Sequence, residues 1–404
     1  MPSIKTTRRN LIRTAAAAPL AANAAAAASK KAETKPTADI YARIGVKPII
    51  NGMGTVTVLG GSIMPAEVVQ AMTDASRHFV PIPELQRKVG ARIAELLKIP
   101  AAMVTCGAAS SIAVATAACM SRGDQKRLAQ MPDVSDGAPY EVIQQKSHQS
   151  GYEHQMRIQG AKSIWVETAA DVERAISPKT AMMFFLNKND GDGKIRWQEW
   201  VALAKKHNVP SFNDAAADVP PKENLWKYVH GGYDLVAFSG GKGMMGPQAS
   251  GLLLGRKDLV DAGLACISPA GGVGRGMKVG KEEMMGVLAA LELFLKTDHE
   301  AGFRELDKRV SEMIAALSKI DGLKLTREVP EIANVVPHLR VQWDESKGKP
   351  TALEALDRLR NSDPPIHIQR HGAGNLFISV WTMQGSEHKV VAERLGQILR
   401  PTAG

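Results

Sequence analysis

The chain has 404 residues and a mass of 43.4 kDa, room for a large domain with a smaller one or for two of equal size. Hydrophobic residues make up 44% and charged residues 23%, close to globular averages, which excludes the disordered and fibrous classes. The net charge of +10 falls to +6, a mild excess, once Lys5, Arg8, Arg9 and Arg13 are set apart, which precede residue 29 with no acid among them; no nucleic-acid-binding motif appears, and no nucleic-acid partner is expected.

At the N-terminus, Thr7-Arg8-Arg9-Asn10-Leu11-Ile12-Arg13 places a twin arginine before two apolar residues. An Ala-dominated stretch from Thr14 to Ala28 follows, interrupted by Pro19 and offering several small-x-small cleavage sites. It resembles a twin-arginine (Tat) signal, whose pathway exports proteins already folded. Residues 1–28 are therefore expected to be a signal and 29–38 a polar linker, leaving a periplasmic mature protein. No apolar run reaches the roughly 20 residues of a membrane-spanning helix. Cys106, Cys119 and Cys266 cannot build a disulfide framework and have no metal-ligand spacing, so buried thiols and no metal are expected.

From about Leu85 amphipathic helical stretches alternate with short apolar runs, the pattern of a parallel sheet with helical crossovers. Residues 84–97 read as a helix with Leu85, Val89, Ile93, Leu96 and Leu97 on its apolar side. Residues 101–105 read as a strand and 108–120 as an Ala-rich helix. Further strands are expected at 163–166, 181–186, 209–213, 233–239 and 251–255, with a helix at 197–207. A long helix at 281–297 reads as a connector. Residues 300–404 change character: a helix, strands around 335–343, a helix from Ala352, a strand at 375–381 and a final helix. The expected fold class is α/β. Residues 39–290 form a large domain, its N-terminal segment included, with a mostly parallel sheet and helices on both faces; 291–404 form a small α+β domain.

One decoy is set aside. Asp190-Gly-Asp192-Gly193-Lys-Ile195 with Glu199 looks like an EF-hand loop. With Gly193 as position 6, Lys188 falls at position 1, where calcium needs a carboxylate. A polar loop between strand and helix fits better.

The chemistry concentrates in Phe238-Ser239-Gly240-Gly241-Lys242-Gly243, where a strand ends in a serine and a lysine wrapped in glycines. A surface lysine has no need of glycines, which cost backbone entropy; a lysine that must meet a planar ring does. Upstream, the strand 209–213 ends at Asp214 beside Ala215 and Ala216, where a carboxylate can pair with a pyridinium nitrogen. Earlier still, Thr105-Cys106-Gly107-Ala108-Ala109-Ser110 opens a helix whose backbone N–H groups can cradle a phosphate. Singly, each is weak, since a lone Asp after a strand is often a helix cap. Cradle, aspartate and lysine, in that order and each at a strand's carboxyl end, form the layout of pyridoxal-phosphate enzymes of fold type I.

With these segments, Asn51-Gly-Met-Gly54-Thr55-Val56, Gly60-Gly61-Ser62, Gly246-Pro247-Gln248-Ala-Ser-Gly251 and Arg275-Gly-Met-Lys278-Val-Gly-Lys281-Glu282-Glu283 resemble the bacterial selenocysteine synthase family. Its relatives include the D-glucosaminate-6-phosphate ammonia-lyases. The resemblance runs from about residue 40 to 290 and more loosely beyond. It implies pyridoxal 5'-phosphate as cofactor, bound as an imine on Lys242, with Asp214 on the ring nitrogen. Gly107, Ala108, Ala109 and Ser239 hold the phosphate. It places His148 against the ring, although a capping or surface histidine reads equally well. Arg370 and Arg275 compete for the substrate carboxylate, which a planar guanidinium binds bidentately; either also reads as a surface arginine.

Selenium transfer to a seryl-tRNA fits a periplasmic protein badly. The expected reaction is loss of the α-proton and a β-hydroxyl from a free amino acid or amino-sugar acid, giving a 2-keto acid and ammonia. Racemisation, selenium or sulfur transfer and non-catalytic binding of the cofactor stay open as alternatives. Family resemblance also implies a homodimer or higher even assembly.

Overall fold

The computed structural model describes residues 40–400, and the chain divides into two units, Met1–Pro48 and Ile49–Gly404. The expected signal and linker lie outside the described residues. In the first unit the described part holds one helical turn, Ala42–Ile44, closed by Gly45 in the left-handed conformation.

The second unit carries two sheets. Its strands are β1 (Ile50–Gly52), β2 (Ala101–Thr105), β3 (Glu141–Gln145), β4 (Lys162–Val166), β5 (Thr180–Leu186) and β6 (Ser211–Asp214). They continue with β7 (Leu235–Ser239), β8 (Gly251–Gly255), β9 (Leu323–Glu328), β10 (His338–Trp343), β11 (Ile366–Arg370) and β12 (Asn375–Ser379). The larger sheet has the order β2-β8-β7-β6-β5-β3-β4. Its strands are parallel except β8, which runs against both of its neighbours.

Continuous apolar runs make this sheet because both of its faces are covered. Along β5, Met183 and Phe185 enter one core while Met182, Phe184 and Leu186 enter the other. Leu252 and Leu254 of β8 face the first core and Leu253 the second. The helix Ala108–Ser121 is buried almost all round, and its small side chains let it lie close on the sheet. On the other face, Gln86 of the helix Ile82–Leu97 ties itself to β2. Its amide donates to the Val104 carbonyl at 2.5 Å and accepts from the Val104 N–H at 3.3 Å.

β3 is absent from the sequence reading because Gln144 and Gln145 make up two of its five residues, although both are buried. The smaller sheet, β1-β11-β12-β10-β9, surrounds a third core that includes Leu339, Leu356, Ile366, Ile378 and Leu395. Here one assignment is corrected: β1 belongs to this sheet, pairing parallel to β11 with Ile50 opposite Ile366, and not to the large domain. Three residues carry too little pattern to declare a partner over 300 positions away. Among the described residues no helix is long and apolar enough to cross a membrane. Cys119 and Cys266 are buried, which pushes both thiols up to about 12, and Cys106 is half-buried.

Candidate active site

β2, β5, β6 and β7 run in one direction, so their carboxyl ends meet along one edge of the larger sheet. Asp214 closes β6 opposite Leu186 of β5 and Ala237 of β7. It is buried and accepts one hydrogen bond, from the Ala216 N–H to Oδ1 at 3.1 Å. No donor among the described residues reaches Oδ2. Burial pushes this carboxyl above the usual range, against the pull of the Ala216 N–H, Lys242 and Lys188.

Lys242 follows β7 in a turn closed by the Met245 N–H on its carbonyl at 2.9 Å. Its ammonium has no hydrogen-bond or ion-pair partner among the described residues. Burial lowers its proton affinity; Asp214 and, more weakly, Asp218 raise it, while Lys188 lowers it further. The surrounding glycines serve close backbone packing more than room for a ring. A Cβ on Gly241 would stand 2.6 Å from the Gln248 Cα, and one on Gly243 would strike the Val219 carbonyl. The N-terminal segment braces this loop, with the Ser62 hydroxyl donating to the Gly241 carbonyl at 3.1 Å.

The third element is the start of the helix Ala108–Ser121. Gly107 takes φ +130°, which only glycine adopts without strain, and the space where its Cβ would stand is open. Its carbonyl is fixed by the Thr105 hydroxyl at 3.0 Å, the Ser110 hydroxyl at 2.9 Å and the Ser111 N–H at 3.1 Å. The N–H groups of Ala108, Ala109 and Ser110 find no acceptor among the described residues and point out of the positive helix end. Gly251 of β8 lets this turn approach, since a Cβ there would meet the Gly107 carbonyl carbon at 2.6 Å. The Ser239 hydroxyl, half-buried at the end of β7, is also uncommitted.

The other expected residues are not brought here. His148 is wholly buried, edge-on to Phe185 with ring centroids 4.5 Å apart. Its Nδ1 accepts the Leu186 N–H at 3.2 Å and its Nε2–H donates to the Asn189 carbonyl at 3.1 Å, the tautomer this network requires. Burial pushes its pKa down to about 4, so the ring is neutral. It has no free face to stack on a ligand and is a core histidine. Arg370, at the end of β11, and Arg275, in a surface loop, are both exposed, and neither acts on Lys242 or Asp214 within one chain.

Sequence reasoning missed the cation that does reach the site. Lys188 is exposed two residues past the end of β5, has no acidic partner among the described residues, and acts on both Asp214 and Lys242. It is the residue that disqualified the calcium loop. Asp190 of that loop is committed instead to the Trp197 N–H at 2.8 Å and to Arg196 at 3.2 Å.

Residues 164–307 match the family model for L-seryl-tRNA selenium transferase. The chain is 30% identical to the D-glucosaminate-6-phosphate ammonia lyase of Salmonella typhimurium over 91% of its own length and 100% of that protein. The chain belongs to the selenocysteine synthase-like family of pyridoxal-phosphate enzymes. A 5'-C-glycyluridine monooxygenase-decarboxylase from Streptomyces is 28% identical over 90% of this chain and 93% of that one. The solved structure of a D-glucosaminate-6-phosphate ammonia-lyase superposes with a TM-score of 0.77 at 29% identity, covering 90% of this chain and 98% of that one. The fold is that of the type I pyridoxal-phosphate enzymes.

The residues present fit the family's cofactor. Asp214 has a free oxygen for a ring N–H, the helix start has three unclaimed donors for a phosphate, and Lys242 is an unpaired, partly desolvated amine.

Proposed function

We propose that the protein is an exported pyridoxal-phosphate lyase that removes the α-proton and a β-hydroxyl from an amino acid or amino-sugar acid, releasing a 2-keto acid and ammonia. The observation that carries this reading is the unpaired Lys242 beside Asp214, in a chain whose full-length relative is an ammonia lyase.

The Ala108, Ala109 and Ser110 N–H groups and the Ser239 hydroxyl hold the phosphate, and the free oxygen of Asp214 holds the proton on the ring nitrogen. Bound through Lys242, the cofactor supplies an electron sink that acidifies the substrate's Cα–H. The substrate's amine would take the place of the Lys242 nitrogen on the cofactor, and the freed Nζ would then take that proton, its lowered proton affinity leaving more of the free amine at neutral pH. Lys188 meets the substrate's acid group at the mouth of the site. Borohydride reduction followed by peptide mapping tests the reading. A pyridoxyl group on Lys242 is expected, and a modified lysine elsewhere, or none, refutes it.

A second reading rests on Lys188. A second amine near Lys242 is what a racemase needs to return the proton to the opposite face. Lys188→Met separates the two: an anion clamp raises KM about tenfold with kcat nearly unchanged, whereas a base loses kcat for inversion.

Two further proposals concern the whole protein. The twin-arginine segment supports export to the periplasm, checked by sequencing the N-terminus of the protein from that fraction. Val58, Ile63, Val69, Phe79 and Val80 leave the segment 58–80 rich in exposed apolar side chains, Phe79 completely so, which supports a homodimer. Light scattering that returns a monomer with full activity removes that proposal.

A further inference from the structure

A second buried carboxyl lies four residues beyond Asp214. Asp218 is 1% exposed, in the turn between β6 and the helix Asn224–His230. Its Oδ2 accepts from the Asn187 amide and from the Tyr228 hydroxyl at 3.2 Å, and its backbone carbonyl accepts from the Asn224 amide at 2.7 Å. Asn187 also donates to the Tyr228 oxygen at 2.8 Å and accepts from Asn213, the neighbour of Asp214, at 3.2 Å. The network therefore clamps the ends of β5 and β6, the strands that present Lys188 and Asp214.

Holding these strand ends does not require a carboxyl. An asparagine at 218 could accept the same two donors through its amide oxygen. What the amide cannot do is change charge, and the charge at 218 is felt across the site: Asp214 disfavours it and Lys242 favours it. Burial pushes Asp218 up to about 7, against the Asn187 and Tyr228 donors. Its ionisation therefore falls in the range where an enzyme works. A cavity of about 360 Å³ that Asp218 lines is bounded also by Asp190, Arg196, Lys227 and Glu331. The charged and titratable groups that face it are thus Asp214 from β6, Lys242 from the loop after β7, Tyr228 from its helix and those four across the cavity.

We propose that Asp218 is a positioning residue of the lysine site, a buried carboxyl that ties together the ends of β5 and β6 and whose charge adds to that of Asp214 in holding a proton on the Lys242 nitrogen. The inference rests on the reading that Lys242 carries the cofactor. When Asp218 is ionised, Lys242 keeps its proton to higher pH; when it is neutral, Lys242 releases it.

The test is the pH titration of the visible band of the holoenzyme. Asp218→Asn is expected to move the midpoint down by about one pH unit. Tyr228→Phe, which takes one donor from the ionised carboxylate, is expected to move it the same way by less. A second readout needs no cofactor. A carboxyl pushed up by burial stabilises the fold below its ordinary range near pH 4 and ceases to do so as pH rises to about 7. The Tm of apo Asp218→Asn should therefore gain on that of the parent between pH 5 and 7. A midpoint unmoved in both variants overturns the inference while leaving the pyridoxyl group on Lys242 in place. If Lys242 carries no such group, the reading beneath fails first. A constant Tm difference across that range shows that Asp218 bears no titrating charge and overturns the inference by itself.

Discussion

Two groups of buried polar residues lie side by side at the carboxyl edge of the larger sheet, and they are bonded in opposite ways. Asp218, Asn187, Tyr228 and Asn224 are knitted together by side-chain hydrogen bonds. The Lys242 amine, the second oxygen of Asp214, the Ser239 hydroxyl and the Ala108, Ala109 and Ser110 N–H groups have no partner among the described residues, although burial presses on Asp214 and Lys242. Burying a polar group without a partner is costly, and here an amine, a carboxylate oxygen, a hydroxyl and three N–H groups lie open at neighbouring strand ends, as a ligand with complementary groups requires. The contrast separates site from support more sharply than residue type does.

The contrast can be broken from the open side first. Lys242→Ala should abolish the pyridoxyl label and lower turnover by more than about 1000-fold, with a smaller effect on Tm, because the side chain makes no hydrogen bond or ion pair among the described residues. Asp214→Asn, measured by steady-state kinetics, should lower kcat/KM by about 100-fold, since the amide cannot hold a ring-nitrogen proton by charge. The bonded side should answer in stability instead. His148 is buried and neutral, with its pKa pushed down to about 4. Its contribution is present above its ordinary value near 6.5 and is lost as pH falls through 4, at most about 3 kcal/mol. His148→Gln should remove this part of the acid sensitivity of Tm, and an unchanged acid limb would show that the ring is not held as described.

Most of the larger sheet was legible because strands buried on both faces read as apolar runs, and 181–186 and 251–255 lie on β5 and β8 as expected. Lys242 and Asp214 announced themselves by their place at strand ends, which local sequence encodes. The support did not. Asn187, Asp218 and Tyr228 come together only through tertiary approach, and an asparagine or tyrosine standing alone carries no signal. His148 misled for the reverse reason: a histidine after a strand looks the same whether its ring lies in a pocket or in the core. β11, which bears Arg370, was missed because Ile366 and Ile368 alternate with polar residues over only five positions.

The pairing of β1 with β11 has a consequence for how the chain is made. The Gln369 side chain reaches the Met53 carbonyl across 316 positions of sequence, and the strand that completes the smaller sheet is the first one synthesised. Closing so long a loop adds little to the thermodynamic penalty, but it delays a contact that nothing local can anticipate. Until β11 leaves the ribosome, β1 has no partner and the smaller sheet lacks an edge. A truncation that removes Ile50–Gly52 or Ile366–Arg370 therefore breaks the same pairing from opposite ends of the sequence.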